Sequence, residues 1–95
     1  MSDSTAQASG TSEGIEFYGA DWCTDCRRSK KLLDELGVTY IYHDLESEDG
    51  APERATAISG QKHIPVLQFA DGTFQVEPSN AELRAKVVEL GLYSE

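Results

Sequence analysis

The chain has 95 residues, which is enough for one domain and not for two. Its 17 acidic residues against 8 basic ones give a net charge of −9, which disfavours binding to nucleic acid and to anionic membranes. No apolar run approaches the ~20 residues that a membrane-spanning helix needs. We therefore expect one small globular domain that works as a monomer, away from the membrane.

Residues 1–13 consist mainly of Ser, Thr, Ala, Gly, Gln and acidic residues, which cannot bury a core. We predict a disordered N-terminal tail over 1–13 and an ordered domain over 14–95. The tail has neither a basic start nor an apolar stretch, so no secretory signal is expected. The predicted location is the cytoplasm.

The first half of the domain contains two predicted strands and a helix. Alternating apolar and polar residues predict a first strand over residues 15–18. A helical pattern follows over residues 24–36, and Gly37 is its expected stop. Residues 38–43 are rich in β-branched and aromatic side chains, which predicts a second strand. A β-α-β order of this kind favours parallel pairing of the two strands.

The second half contains a predicted hairpin between two helices. Its elements are a helix over 53–59, strands over 64–69 and 73–76, and a final helix that begins at Ser79. Pro52 suits the first turn of the short helix, and Asp71-Gly72 predicts a two-residue hairpin. Ser79 and Glu82 fit a capping box. We expect an α/β fold of order β-α-β-α-β-β-α, with a mixed four-stranded sheet and helices on both faces.

The only two cysteines, Cys23 and Cys26, lie three residues apart where the first strand leads into the first helix. A disulfide this local closes almost no loop and would stabilise the fold little, so the spacing indicates chemistry. Unpaired N–H groups at a helix start and the helix dipole stabilise a thiolate on Cys23. That thiolate attacks a disulfide, and Cys26, one turn further on, can resolve the mixed disulfide. We predict a dithiol oxidoreductase in which Cys23 is the more exposed sulfur.

A non-enzymatic metal module is the alternative from another class. A CxxC pair is half of a zinc site, but the two further candidate ligands, His43 and His63, fall on separate predicted strands at irregular spacing. We therefore expect no metal at the cysteines. A zinc site, or an iron–sulfur cluster bridged between two chains, remains the rival hypothesis.

Charged and aromatic neighbours modify the cysteine motif. Asp25 opposes a thiolate by like-charge repulsion, and Arg27 and Arg28 lie close enough in sequence to offset it. Trp22 can shield one side of Cys23 and offer an apolar surface to a substrate. We expect His63 to line the groove rather than to act as an acid or base.

Four segments together give the chain a family resemblance: Trp22-Cys23-Thr24-Asp25-Cys26, Ile64-Pro65, Phe69-Ala70-Asp71-Gly72 and Pro78-Ser79-Asn80. With the element order, they resemble glutaredoxin-like proteins of the thioredoxin superfamily, and the mycoredoxins in particular. The resemblance spans residues 15–91. It implies a thioredoxin-like fold with a cis bond at Pro65.

The resemblance also implies where substrates bind. The implied substrate-binding and thiol-binding residues are Trp22, Thr24, Lys62, His63, Ile64, Pro65, Ser79 and Asn80. The backbone of Ile64 would pair with the substrate, while Ser79 and Asn80 would meet a carboxylate of a low-molecular-weight thiol at a helix N-terminus. Lys62 would meet another anionic group.

The implied reaction is the reduction of mixed or intramolecular disulfides in proteins. A low-molecular-weight thiol, mycothiol or glutathione, would be the co-substrate, with no tightly bound cofactor. Departures from the glutaredoxin pattern at Asp21, Thr24-Asp25 and residues 75–78 count against glutathione itself. A thioredoxin-like reductant served by a flavin disulfide reductase is the alternative within enzymes.

Overall fold

The computed structural model describes residues 14–93. Its elements are β1 (Ile15–Gly19), α1 (Thr24–Leu36), β2 (Ile41–Asp44), α2 (Ala51–Ser59), β3 (Val66–Phe69), β4 (Phe74–Val76) and α3 (Asn80–Glu89). This is the predicted order. The tail predicted over 1–13 and the last two residues of the domain predicted over 14–95 lie outside the described residues.

The four strands form one mixed sheet of order β2-β1-β3-β4. β1 pairs with β2 in parallel and with β3 antiparallel, and β3 pairs with β4 antiparallel. The parallel pair needs a crossover connection, which α1 supplies, whereas the antiparallel pair is joined by a short turn. The predicted topology is therefore confirmed.

Alternation along β1 divides the core between the two faces of the sheet. Phe17 faces α1 and α3 and packs with Leu33 and Leu83, all fully buried. Tyr18 points to the other face, where it packs with Ala55 of α2. Successive strand residues point to opposite faces of a sheet, so β1 contributes side chains to the core on both faces. The prediction of helices on both faces is confirmed.

Three boundaries differ from the predictions by two residues or more. The strand predicted from residue 38 begins at Ile41, because Gly37 is left-handed and the Val38 N–H still bonds to the Leu33 carbonyl at 2.9 Å. The short helix begins at Ala51, two residues earlier than predicted. The strand predicted from residue 64 begins at Val66. Proline lacks the N–H that a ladder needs, which accounts for the late start.

The hairpin loop between β3 and β4 has three residues instead of the predicted two. The Phe69 N–H donates to the Thr73 carbonyl at 2.9 Å, which encloses residues 70–72. Gly72 has a positive φ of 89°, as the last position of such a three-residue loop requires. The Asp-Gly signal thus located the turn correctly and gave the wrong loop length.

Candidate active site

Cys23 is the N-cap of α1. Its backbone is extended, and its sulfur accepts a hydrogen bond from the Cys26 N–H at 3.3 Å. The sulfur thereby takes the place that a Ser or Asp oxygen takes in most helix caps. A donor aimed at the sulfur, together with the positive end of the helix dipole, is an arrangement that stabilises negative charge there.

Cys26 lies one turn further on, on the buried face of α1. It is fully buried, whereas Cys23 keeps 9% of its surface exposed, and both are free thiols. Burial, and after it the hydrogen bond with Cys23, raises the pKa of Cys26 to about 12. Cys23 is therefore the more exposed sulfur, as predicted, but only by a narrow opening.

Gly19 at the end of β1 makes room for the Cys26 sulfur. A Cβ at this position would lie 2.8 Å from Cys26 Sγ and 3.0 Å from the Phe17 ring. No larger residue fits there without moving the sulfur or the ring. The sequence pattern marks Gly19 only as the end of a strand, and gives no sign that it contacts the cysteine.

The segment just before β3 lies next to Cys23. The bond between Ile64 and Pro65 is cis, as the resemblance implies, and Pro65 is fully buried. The carbonyl oxygen of Ile64 lies 3.9 Å from Cys23 Sγ. The Pro65 carbonyl accepts the Glu77 N–H at 2.9 Å, which ties this segment to the end of β4.

A pocket opens in front of Cys23, with a volume of about 440 Å³. Its lining residues are Trp22, Cys23, Thr24, Asp25, Lys62, His63, Ile64 and Glu77. A larger groove of about 660 Å³ runs along α2 and shares Lys62, His63 and Ile64 with the pocket. The structure thus brings the predicted site residues from positions 22–24 and 62–64 into one place.

Ser79 and Asn80 lie outside that lining, two and three residues beyond Glu77 at the start of α3. The predicted capping box is present: Ser79 Oγ accepts the Glu82 N–H at 3.1 Å, and the Ser79 N–H donates to the Glu82 carboxylate at 2.9 Å. The polar groups of Ser79 are therefore engaged within the helix itself. Arg28 of α1 donates to the Pro78 carbonyl at 3.2 Å and connects the two helix starts.

Of the two arginines expected near Asp25, one pairs with it. Arg28 Nη1 lies 3.0 Å from the Asp25 carboxylate, whereas Arg27 donates to the backbone carbonyl of Asp21 at 2.9 Å. The charge of Asp25 beside Cys23 is thus offset by Arg28. Both partners are substantially exposed, so the pair contributes at most ~1 kcal/mol.

Glu77 is a pocket residue that the sequence pattern does not reveal. It has a positive φ of 50°, which is uncommon for a residue with a side chain. Its carboxylate lies 3.9 Å from His63 Nδ1. The pocket therefore has an acidic side chain, Glu77, beside Lys62 and His63 in its lining.

Of the two histidines weighed for a metal, His63 lines the Cys23 pocket and His43 is not among its lining residues. His43 lies between Glu16 and Glu48, 2.5 and 2.8 Å away, and stacks on Tyr18 on the α2 side of the sheet. Within residues 14–93, no three His, Cys, Asp or Glu side chains are grouped to hold a metal ion. No helix in the same range is long and apolar enough to cross a membrane.

Comparison with known proteins places the chain in a family. The glutaredoxin family model matches residues 15–75, which include both cysteines and Pro65. Mycoredoxin 1 of Corynebacterium glutamicum is 32% identical over 77 residues, which cover 80% of this chain and 95% of that protein. These matches confirm the resemblance to glutaredoxins and mycoredoxins.

Two solved structures share the fold. A glutaredoxin from Archaeoglobus fulgidus has a TM-score of 0.68 and 22% identity, over 76% of this chain and 83% of that one. A buckwheat glutaredoxin in complex with glutathione has a TM-score of 0.64 and 22% identity, over 85% and 82% of the two chains. The fold is therefore thioredoxin-like, as predicted. The chain belongs to the glutaredoxin family, and it is a thiol–disulfide oxidoreductase that acts on disulfide substrates.

Proposed function

We propose that the protein reduces mixed disulfides between proteins and a low-molecular-weight thiol, with Cys23 as nucleophile and Cys26 as resolving thiol. The position of the two sulfurs carries this proposal. The Cys23 sulfur caps α1 and receives the Cys26 N–H at 3.3 Å, while burial raises the pKa of Cys26 to about 12. One sulfur is thus suited to attack, and the other stays protonated until it is needed.

The first step transfers the small thiol from the substrate protein to Cys23. The Cys23 thiolate attacks the sulfur of the small thiol, the substrate disulfide breaks, and the protein thiolate that leaves takes a proton from solvent. In the second step Cys26 loses its proton and attacks Cys23. The small thiol then leaves with a proton, and an intramolecular Cys23–Cys26 disulfide remains.

The Cys23–Cys26 disulfide must then be reduced by two electrons. Two molecules of the small thiol can supply them. The first attacks Cys23 and forms a mixed disulfide with it, which frees Cys26. The second attacks the sulfur of the first, so that Cys23 leaves as a thiol and the oxidised thiol dimer forms. A flavin disulfide reductase is the alternative donor and would make the protein a thioredoxin-like reductant of protein disulfides. Glutathione and mycothiol are the candidate thiols, since a structural neighbour binds glutathione and the chain resembles mycoredoxins.

The pocket in front of Cys23 is the proposed place for the small thiol. Its sulfur would lie in the pocket next to the Cys23 sulfur, near Trp22 and Thr24, with the backbone around Ile64 and Pro65 as the pairing edge. Lys62 and His63 supply cationic or hydrogen-bonding groups at the rim. Ser79 and Asn80 at the start of α3 are the proposed contact for a carboxylate of the thiol. The Ser79 N–H and Oγ are held by Glu82, so the Asn80 N–H would meet the carboxylate and Ser79 would keep the helix start in place.

Two cysteine variants test this proposal. Each variant is assayed on two substrates that share one cysteine peptide. In one substrate the peptide is disulfide-linked to glutathione, and in the other to mycothiol. Cys23→Ser should release no thiol, whereas Cys26→Ser should accumulate an adduct of one small thiol on Cys23, detected by intact mass. Full activity of Cys23→Ser would contradict the roles assigned. Comparison of the two substrates, with and without a flavin reductase, identifies the electron donor.

A further inference from the structure

Trp22 is the single tryptophan of the chain and lines the Cys23 pocket. It is 64% exposed, yet its Nε1–H donates a hydrogen bond of 2.5 Å to the carboxylate of Glu46. Water could satisfy an indole N–H at so exposed a position. The contact with Glu46 therefore serves to fix the direction of the ring rather than to satisfy a buried donor.

The turn that carries Glu46 is itself held in place. Asp44, the last residue of β2, accepts the Glu46 N–H on its side chain at 2.9 Å and the Glu48 N–H on its carbonyl at 2.9 Å. The Leu45 N–H donates to the Gly19 carbonyl at 2.9 Å, which fastens the turn to the end of β1. The backbone at Glu46 is thus held by contacts that do not involve Trp22, so the side chain starts from a fixed point of the turn.

The far side of the same turn is anchored by a second set of contacts. Glu48 lies 2.8 Å from His43 Nδ1 and pairs with Arg54 of α2, while His43 Nε2 lies 2.5 Å from Glu16. These contacts tie the turn to the sheet and to α2. Glu48 is therefore committed to the sheet, and Glu46 extends from the opposite side of the turn towards the active site.

We propose that Glu46 is a positioning residue for the exchange reaction, because its carboxylate holds the Trp22 indole as a fixed wall of the Cys23 pocket. This inference rests on the proposed function of Cys23. A wall that is already ordered need not lose conformational freedom when a disulfide substrate docks against it. Loss of the contact should therefore weaken substrate binding more than it slows the chemical step.

The first test measures the ring itself, with no substrate present. Glu46→Ala should lower the fluorescence anisotropy of Trp22 in the reduced protein and increase its quenching by acrylamide. Glu46→Gln keeps an acceptor oxygen and should restore values close to those of the unchanged protein. Glu35→Ala removes one acidic side chain from the exposed face of α1 and should leave both signals unchanged. Equal anisotropy and quenching in Glu46→Ala and the unchanged protein would overturn the proposal.

The second test measures the reaction. Glu46→Ala should lower kcat/KM for the mixed-disulfide peptide about three- to tenfold, mainly through KM, as expected when one side chain must be ordered on binding. Glu46→Gln should recover most of this loss. In a Trp22→Phe background, which has no indole N–H, Glu46→Ala should cause no further loss. An equal loss in both backgrounds would show that Glu46 does not act through Trp22.

The outcomes separate this inference from the proposed function. If Cys23→Ser remains fully active, the proposed function fails, whatever the fluorescence of Trp22 shows. If Cys23→Ser is inactive and Glu46→Ala keeps both the anisotropy and the kcat/KM of the unchanged protein, only the positioning role fails.

Discussion

A Cβ on Gly19 would lie 2.8 Å from the sulfur of Cys26, so the end of β1 and the first turn of α1 fit together only around a glycine. Gly19 has no left-handed φ that would require glycine for backbone reasons. The constraint is purely one of space beside the buried sulfur. The place of Cys26 behind Cys23 thus depends on a residue outside the cysteine motif.

Gly19→Ala should destabilise the protein and disturb its cysteine chemistry together. Overpacking a filled core costs about 1–3 kcal/mol, and here the added methyl group would displace the Cys26 sulfur or the Phe17 ring. We expect a lower free energy of unfolding in urea and slower formation of the Cys23–Cys26 disulfide. Stopped-flow oxidation with one equivalent of a small disulfide measures the second effect.

Gly37→Ala is the matched control for that prediction. Gly37 has a φ of 73° and nothing within 4 Å of an added Cβ, so alanine there costs about 1–2 kcal/mol through the backbone alone. It should lower stability without changing the rate of disulfide formation. An unchanged oxidation rate in Gly19→Ala would show that the methyl group leaves the sulfur where it is.

The two cysteines should differ sharply in reactivity towards alkylating agents. Burial raises the pKa of Cys26 to about 12, so the residue stays a thiol at pH 7, and its sulfur is fully buried as well. Iodoacetamide should therefore modify Cys23 alone in the reduced native protein, and both residues in urea. Peptide mapping by mass spectrometry gives the site. Modification of Cys26 at a rate comparable to that of Cys23 would contradict the assigned burial.

The raised pKa of Cys26 also predicts a loss of stability at high pH. Between its ordinary value of 9.0 and about 12, the native state holds a proton that the unfolded state has released. Stability therefore falls as pH rises through this window, and the contribution is fully present below pH 9. Urea unfolding of the reduced protein from pH 8 to 11 should show a steeper decline than that of Cys26→Ser. Parallel declines would assign the effect to other groups.

Arg28 should keep Cys23 reactive by balancing Asp25. Arg28→Ala leaves the Asp25 carboxylate unpaired near the sulfur and removes the bond to the Pro78 carbonyl. Because the pair is exposed, we expect alkylation of Cys23 to be only two- to fivefold slower at low salt. Added salt screens the charges and should make this difference smaller. Arg27→Ala is the control, since Arg27 contacts only a backbone carbonyl at Asp21. Similar effects of both variants would indicate a general charge effect instead.

Local signals in the sequence were sufficient for most of the fold. Gly37 and the capping box of Ser79 and Glu82 mark helix ends through bonds between near neighbours, so the chain pattern alone reveals them. The cysteine motif is local for the same reason. The predicted start of β2 was wrong because Val38 has a side chain typical of strands, while its N–H still bonds to the Leu33 carbonyl at the end of α1.

The remainder of the site depends on contacts between residues far apart in the chain. Glu46 meets Trp22 across 24 positions, and Glu77 reaches the pocket from the end of β4. Neither residue belongs to a recognisable motif, and each lies in a stretch that the pattern marks only as acidic or polar. Contacts of this kind can be identified only once the three-dimensional arrangement of the strands is known.

The most direct measurement of the proposed reaction follows the small thiol over time on the unchanged protein. Reduced protein is mixed with one equivalent of a mixed-disulfide peptide, stopped with acid at successive times and mapped by mass spectrometry. The thiol should appear first on Cys23 and then disappear as a disulfide between Cys23 and Cys26 forms. A first adduct on Cys26, or oxidation with no adduct on Cys23 at any time, would contradict the account.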